Sequence, residues 1–299
     1  LRADGSGPVP LDVDRITSPA VAALPIAAAP PLRSDAGYEA SERLTGLGGR
    51  AADLAIDPDG SLVILLKGPS GWRLHRFTGD GQPLGDWALD APSELDPNGL
   101  AIAPDGTIAT QFGNVVVLTG RDGAPRGRWT NLALVWESQF AFVGSDRLVF
   151  TIPHRNALAV LGRDGTPLSE SKTFPGGPPE LFSPTALTLN SDGDLAVLQP
   201  NGLALRFETP PDQFAPVFRN AFPVAAASPG LALDGRERLI VPVDGVLQVF
   251  DADGTRLMAD SAARDLSRLK VGANARVRSR NGRLYVLDPD AGRVWSLSR

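Results

Sequence analysis

The sequence predicts an all-β chain folded as a six-bladed β-propeller with four antiparallel strands per blade. Three observations lead there. The first is the stretch Leu54 to Leu65, where an apolar run enters Asp57-Pro58-Asp59-Gly60 and a second apolar run leaves it. Asp-Gly between two such runs is the strongest short-range signal for a β-hairpin, because glycine accepts the left-handed backbone that tight turns require. The second is that this hairpin recurs. Leu100 to Ala109, Phe140 to Phe150, Leu187 to Val197, Leu231 to Val241 and Asn281 to Leu287 are further copies, the first of them 46 residues on. The third is a separate turn series, Asp80-Gly81, Asp122-Gly123, Asp164-Gly165 and Asp253-Gly254, out of phase with the first but sharing its period near 45 residues. Two turn series locked to one period mark a repeat architecture. Four short strands, six times over, is the pattern of a propeller.

Taken in order, residues 1–35 stand outside the repeat. Six prolines fall there, and Ser18 to Pro31 is apolar and rich in alanine. Proline pre-sets extended backbone and cannot donate to a sheet ladder, so the expectation is an extended arm with no helix or central strand. Residues 36–45 are strand-like. From Ala51 each repeat shows the hairpin and then a third strand, such as Trp72 to Phe77 or Asn114 to Leu118. After the second Asp-Gly turn comes a polar fourth strand, such as Gln82 to Trp87 or Ala124 to Trp129. Polar edges carrying Pro and Arg discourage pairing with other molecules. The sixth repeat ends after its third strand, so residues 36–45 are expected to supply the missing outer strand and close the ring. The domain reading is an arm over 1–35 and a propeller over 36–299.

The repeat resembles the NHL-repeat family and the TolB-like group of six-bladed propellers. The resemblance rests on Leu54 to Leu65 with Arg73 to Gly81, and on Arg283 to Leu297. It covers residues 36–299 and implies the fold; propellers of this kind host binding proteins, lyases and lactonases alike.

Composition narrows the function. The net charge of −5 argues against nucleic acid, which needs a basic face. No apolar run is long enough to span a membrane as a helix. The absence of cysteine removes disulfides, thiolate metal sites and thiol nucleophiles together. Lysine occurs only at positions 67, 172 and 270 among 29 basic residues, an arginine bias expected of a GC-rich bacterial genome. Propellers of this type are often exported and the numbering starts on Leu1, so the expected compartment is the periplasm or the cell exterior.

Ligands of propellers bind at the mouth of the axial channel, near the start of each innermost strand. In the related gluconolactonase and senescence-marker group, Asn and acidic side chains there hold a divalent metal, and Asn98-Gly99-Leu100-Ala101 resembles one piece of that pattern. Aligned on their hairpins, the repeats place Ala52, Asn98, Ser138, Thr185, Pro229 and Asn274 at that position. Hard cations need several oxygens, carboxylates among them, and this set offers none. Glu137 and Glu180 are nearby rim candidates. Asn98 and Asn274 are thus the metal candidates, set against the simpler expectation that they cap backbone groups. The two histidines, His75 and His154, fall in different parts of their repeats and cannot form the three-histidine zinc site of the amidating lyases on this fold. Asp57/Asp59, Asp251/Asp253 and Asp288/Asp290 recur with the turns, where Asp bonds its own backbone. No catalytic residue or cofactor is expected.

Repeat four is irregular, with Thr209-Pro210-Pro211-Asp212-Gln213 in place of its second Asp-Gly turn. Phe214 and Phe218 follow, where other repeats carry a polar outer strand, and clustered aromatics mark contact surfaces. Together with Val21, Leu24 and Ile26 of the arm they are the expected partner-binding residues. The function expected is a non-catalytic interaction module or accessory subunit with a protein partner. A metal-dependent lactonase or hydrolase using Asn98 and Asn274 is the second reading.

Overall fold

The structure, a computed structural model, describes residues 32–299 apart from 93, 179–180, 191, 211–212, 214 and 225–229. Val21, Leu24, Ile26, Glu180, Phe214 and Pro229 therefore lie outside the described residues.

The Asp-Gly turns set the register of the blades. In the first, the Asp57 N–H donates to the Ser61 carbonyl and the Gly60 N–H to the Asp57 carbonyl, both at 2.8 Å. Gly60 holds φ +86° to allow it. The same pair of bonds recurs at Ala103 to Thr107, at Gly120 to Ala124 and at Asp251 to Thr255. In the fifth repeat Glu237 takes the left-handed position with φ 61°, a place glycine fills elsewhere.

The strands run in chain order as β1 (Leu32–Asp35) and β2 (Glu39–Leu44), then blade one, β3 (Arg50–Ile56), β4 (Leu62–Gly68), β5 (Gly71–Phe77) and β6 (Pro83–Ala88). Blade two is β7 (Gly99–Ile102), β8 (Ile108–Phe112), β9 (Val115–Thr119) and β10 (Pro125–Thr130). Blade three is β11 (Phe140–Val143), β12 (Arg147–Ile152), β13 (Ala157–Gly162) and β14 (Pro167–Ser171). Blade four is β15 (Ala186–Leu189), β16 (Asp194–Leu198), β17 (Leu203–Glu208) and β18 (Val217–Pro223). Blade five has β19 (Ala232–Leu233), β20 (Leu239–Val243), β21 (Val246–Phe250) and β22 (Arg256–Ala259); blade six has β23 (Arg276–Arg280), β24 (Arg283–Asp288) and β25 (Arg293–Ser298).

The outer strand of blade six is β2, antiparallel to β25 with Glu39 opposite Ser298 and Leu44 opposite Val294. The ring is closed by the N-terminal strand, as the sequence implies. One feature differs from the sequence reading. Leu32–Asp35, assigned to the arm, forms β1 and pairs parallel to β22 as a fifth strand of blade five. Leu32 to Leu44 thus crosses the seam between blades five and six. Asp35 accepts from Arg238 at 2.9 Å and from Arg299, and the Tyr38 hydroxyl donates to Asp234 at 2.6 Å.

Period-two alternation gives every inner strand two buried faces. Leu54, Ile56, Leu62 and Ile64 pack against Tyr285, Leu287 and Val294 of blade six. Ala55, Val63 and Leu65, on the other face, pack against Leu100, Ile102 and Ile108 of blade two. Equivalent clusters fill the remaining seams, so the core is a ring of inter-blade layers. The outer strands add a further contact. Trp87 lies on the Gly123 turn of blade two, Trp129 on the Gly165 turn of blade three, and Phe222 on the Gly254 turn of blade five.

Candidate functional site

Antiparallel strands divide the ring's connections between two faces. The Asp-Gly turns lie on one face. The connections between blades lie on the other, the loop face, together with the turns joining each second strand to its third.

On the loop face, residues 131–138 lead from blade two into blade three. The segment is fixed from within. Asn131 Oδ1 accepts from the Ala133 N–H at 2.9 Å, the Leu134 N–H donates to the Asn131 carbonyl, and the Ser138 N–H donates to the Val135 carbonyl. Leu134 is buried in the core between blades two and three. Its flanking neighbours point out: Leu132 is 84% exposed and Trp136 is 74% exposed. Leu95, on the preceding inter-blade loop, and Phe182, on the following one, are also exposed. Four large apolar side chains on three successive loops form a crescent along blades two to four.

Asn98 holds two of these loops in register. Its Nδ2 donates to the Val135 carbonyl at 2.6 Å, and its Oδ1 accepts from the Gly113 N–H at 3.4 Å. Gln111 Nε2 donates to the Gly113 carbonyl, and Trp72 Nε1 to the Leu95 carbonyl. Asn98 is therefore a buried backbone cap. Asn274 is exposed, with its Nδ2 3.4 Å from Asp290 Oδ1, and shares no ligand geometry with Asn98. Each amide is engaged locally. Among the described residues no cluster of three or more His, Asp or Glu is placed to hold a metal.

The other sequence candidates resolve into structure. Asp59 accepts from the Ser61 N–H, Asp253 from the Thr255 N–H, and Asp288 from the Gly272 N–H. Asp57 accepts from Arg121 at 2.5 Å across the seam between blades one and two. His75 sits on β5, where burial lowers its pKa; His154 is exposed on the loop face of blade three. Phe218 is half-buried, its ring edge-on to Phe207 at 5.8 Å and packed into the core between blades three and four. It serves local packing. It lies over Gly177, whose added Cβ would meet the Phe218 ring at 3.0 Å.

The exposed crescent was missed by the sequence reading, although a signal existed. Asn131-Leu132-Ala133-Leu134-Val135-Trp136 is an apolar run in a segment that must be an inter-blade loop. The same two loops carry Asp90, Glu94, Asp96 and Glu137 and neither Lys nor Arg. Asp96 is paired with Arg50 at 2.6 Å, and Glu137 is exposed.

The axial channel opens on the turn face as a cavity of about 600 Å³. Ile56, Ile102, Phe142 and Leu189 supply apolar wall; Arg147, Arg278, Arg280 and Asp192 supply charge.

With that geometry in view, the likenesses to known structures are of one kind. The β-propeller domain of Cps50 (Swd1) from Myceliophteria thermophila superposes with a TM-score of 0.61 at 10% identity, over 88% of this chain and 99% of that one. A virginiamycin B lyase from Staphylococcus aureus, solved with quinupristin, gives 0.59 at 13%, over 88% and 99%. U3-55K gives 0.58 at 10%, over 87% and 98%. What they share with this chain is the ring. No family model matches the chain, and no curated protein matches it.

Proposed function

We propose that the chain is a non-catalytic interaction module, an accessory subunit that docks a protein partner on its loop face. The observation that carries this reading is the pair Leu132 and Trp136, turned outward by a loop that its own hydrogen bonds hold rigid. Clustered exposed apolar side chains are costly in water unless they are covered. Tryptophan is also the side chain most enriched among residues that dominate binding energy. A rigid loop loses little entropy on docking. Asp90, Glu94 and Glu137, on the two loops that carry Leu95, Leu132 and Trp136, favour a partner segment that presents apolar side chains flanked by Lys or Arg. Within the propellers, the Asp57-Pro58-Asp59-Gly60 hairpin and its recurrence with the repeat support placement with the NHL-repeat-like and TolB-like group. A periplasmic or extracellular setting in a bacterium is part of the same proposal; the arginine bias of the composition supports the bacterial source.

The test is site-specific photo-crosslinking in the native cell. A photoreactive residue at position 132 or 136 is expected to trap one defined protein, while the same group at Leu84, exposed on β6, traps none. Adducts at position 84 matching those at 132 and 136, or none at the crescent, would refute the assignment.

A further inference from the structure

We propose that the axial channel binds a small organic anion, a carboxylate or phosphate monoester with an apolar body, whose charged head is held by guanidinium groups of β23.

Arg276, Arg278 and Arg280 alternate along β23 and so share one face. That face turns toward blade one and the channel. Arg278 Nη2 donates to Asp53 Oδ2 at 2.7 Å, and Arg280 Nη1 donates to the Ile102 carbonyl at 2.8 Å. Aligned on their hairpin pairings, Ala55, Ala101, Ala141, Thr188 and Ala232 correspond to Arg278, while Asp53, Gly99, Gln139, Ala186 and Gly230 correspond to Arg276. Short side chains at the Arg278 level leave room there for the long ones of β23.

Arg278 and Arg280 line the cavity with Arg147, against Asp192 as the acidic lining residue. Asp53 answers Arg278 at 2.7 Å and Asp146 lies 3.8 Å from Arg147, so Arg280 is the cation that the cavity wall leaves to backbone carbonyls, those of Ile56 and Ile102. Asp53, buried beside Arg278, is already engaged by Arg278 and by the Leu54 and Leu100 N–H groups. Arg276 lies two residues further in, toward the loop face and behind the residues that line the cavity. Its Nε and Nη1 are buried and have no hydrogen-bond partner. Burial pulls its pKa down, the direction expected of a cation short of counter-charge.

Two buried guanidinium donors without acceptors are expensive to keep. The planar fork of a guanidinium matches a carboxylate or a phosphate. A cavity of about 600 Å³ lies within the usual range for small-ligand sites. Its walls of Ile, Leu and Phe suit an apolar body behind the charged head.

Calorimetry and thermal melts on the whole protein test this with benzoate, phenyl phosphate, inorganic phosphate and neutral benzyl alcohol as probes. At millimolar concentration benzoate or phenyl phosphate is expected to bind and raise the melting temperature; which of the two binds more tightly names the head group. Benzyl alcohol is expected to do neither, and inorganic phosphate to bind more weakly for want of an apolar body. Arg276→Met is expected to weaken binding roughly tenfold or more, the loss of a charge-assisted contact. The unliganded melting temperature of that variant should be unchanged or higher, because an unpaired buried charge is gone. Arg276→Lys should retain measurable binding. The proposal is overturned if neither organic anion binds, if benzyl alcohol binds equally, or if affinity survives in Arg276→Met. Failure of Arg276→Met to fold while Arg276→Lys folds would assign the guanidinium to structure and overturn it too.

Discussion

At the scale of single residues, the blades are joined by two kinds of contact that the repeat hides in plain turns. One is an aromatic ring laid on the next blade's glycine. A Cβ added at Gly165 would stand 2.7 Å from the Trp129 ring, on a backbone with φ +86°. Gly165→Ala is therefore expected to cost about 2–3 kcal/mol, from overpacking together with strain. Gly46→Ala meets nothing within 4 Å at φ +63° and should cost about 1 kcal/mol, strain alone. Chemical denaturation of the two variants separates packing from strain; equal losses would contradict the lock. The other contact is ionic. Burial by itself raises the Asp234 pKa, but hydrogen bonds from Arg238 and Tyr38 outweigh it and leave it below the usual carboxylate range. A carboxyl whose folded pKa is depressed stabilises the fold above its unfolded pKa, and that contribution is lost as pH falls through the folded value. Melting temperature should thus drop steeply below about pH 4. Asp234→Asn should lose roughly 3 kcal/mol at neutral pH and show a flatter acid limb. An acid limb as steep as that of the parent would contradict this role.

At the scale of elements, the clasp is the strand that decides the ring. A chain starting at Gly46 lacks β1 and β2, exposes the β25 edge and frees Arg238 from Asp35. It is expected to melt well below the full chain or to aggregate through that edge. A chain starting at Ala36 keeps β2 but loses β1, so its melting temperature should fall between the two. Equal melting of the two truncations would place the closure elsewhere. The clasp was legible in the sequence because the sixth repeat ends one strand short and Ala36 to Thr45 is strand-like. Strand β1 was not. Leu32-Arg33-Ser34-Asp35 has no alternation of its own and follows Pro30-Pro31, and what makes it a strand is the unpaired edge of β22. That edge lies more than 200 positions away in the chain, beyond the reach of local pattern.

At the scale of the whole molecule, the fold could be read because a hairpin with period-two alternation is a local signal repeated six times. The functional surface was harder to read. Asn98 could be weighed from the sequence as a metal candidate or a backbone cap, but its partners, Val135 and Gly113, belong to loops that only the closed ring brings beside it. Arg276, Arg278 and Arg280 are visible as an alternating run, but their meaning depends on alanine and glycine in other blades. The two faces of the ring therefore carry separate proposals: a protein partner on the loop face, and an anion entering from the turn face. Arg276→Met serves as the control for the first, since it leaves the crescent untouched. The most direct measurement of the central claim is the size of the native complex. In extracts of the native cell separated by gel filtration, the parent chain and Arg276→Met are expected to elute with a larger assembly. The double variant Leu132→Ser, Trp136→Ser is expected to elute as the free chain, with an unchanged melting temperature. A parent chain that elutes free, or a double variant that stays in the assembly, would contradict the account.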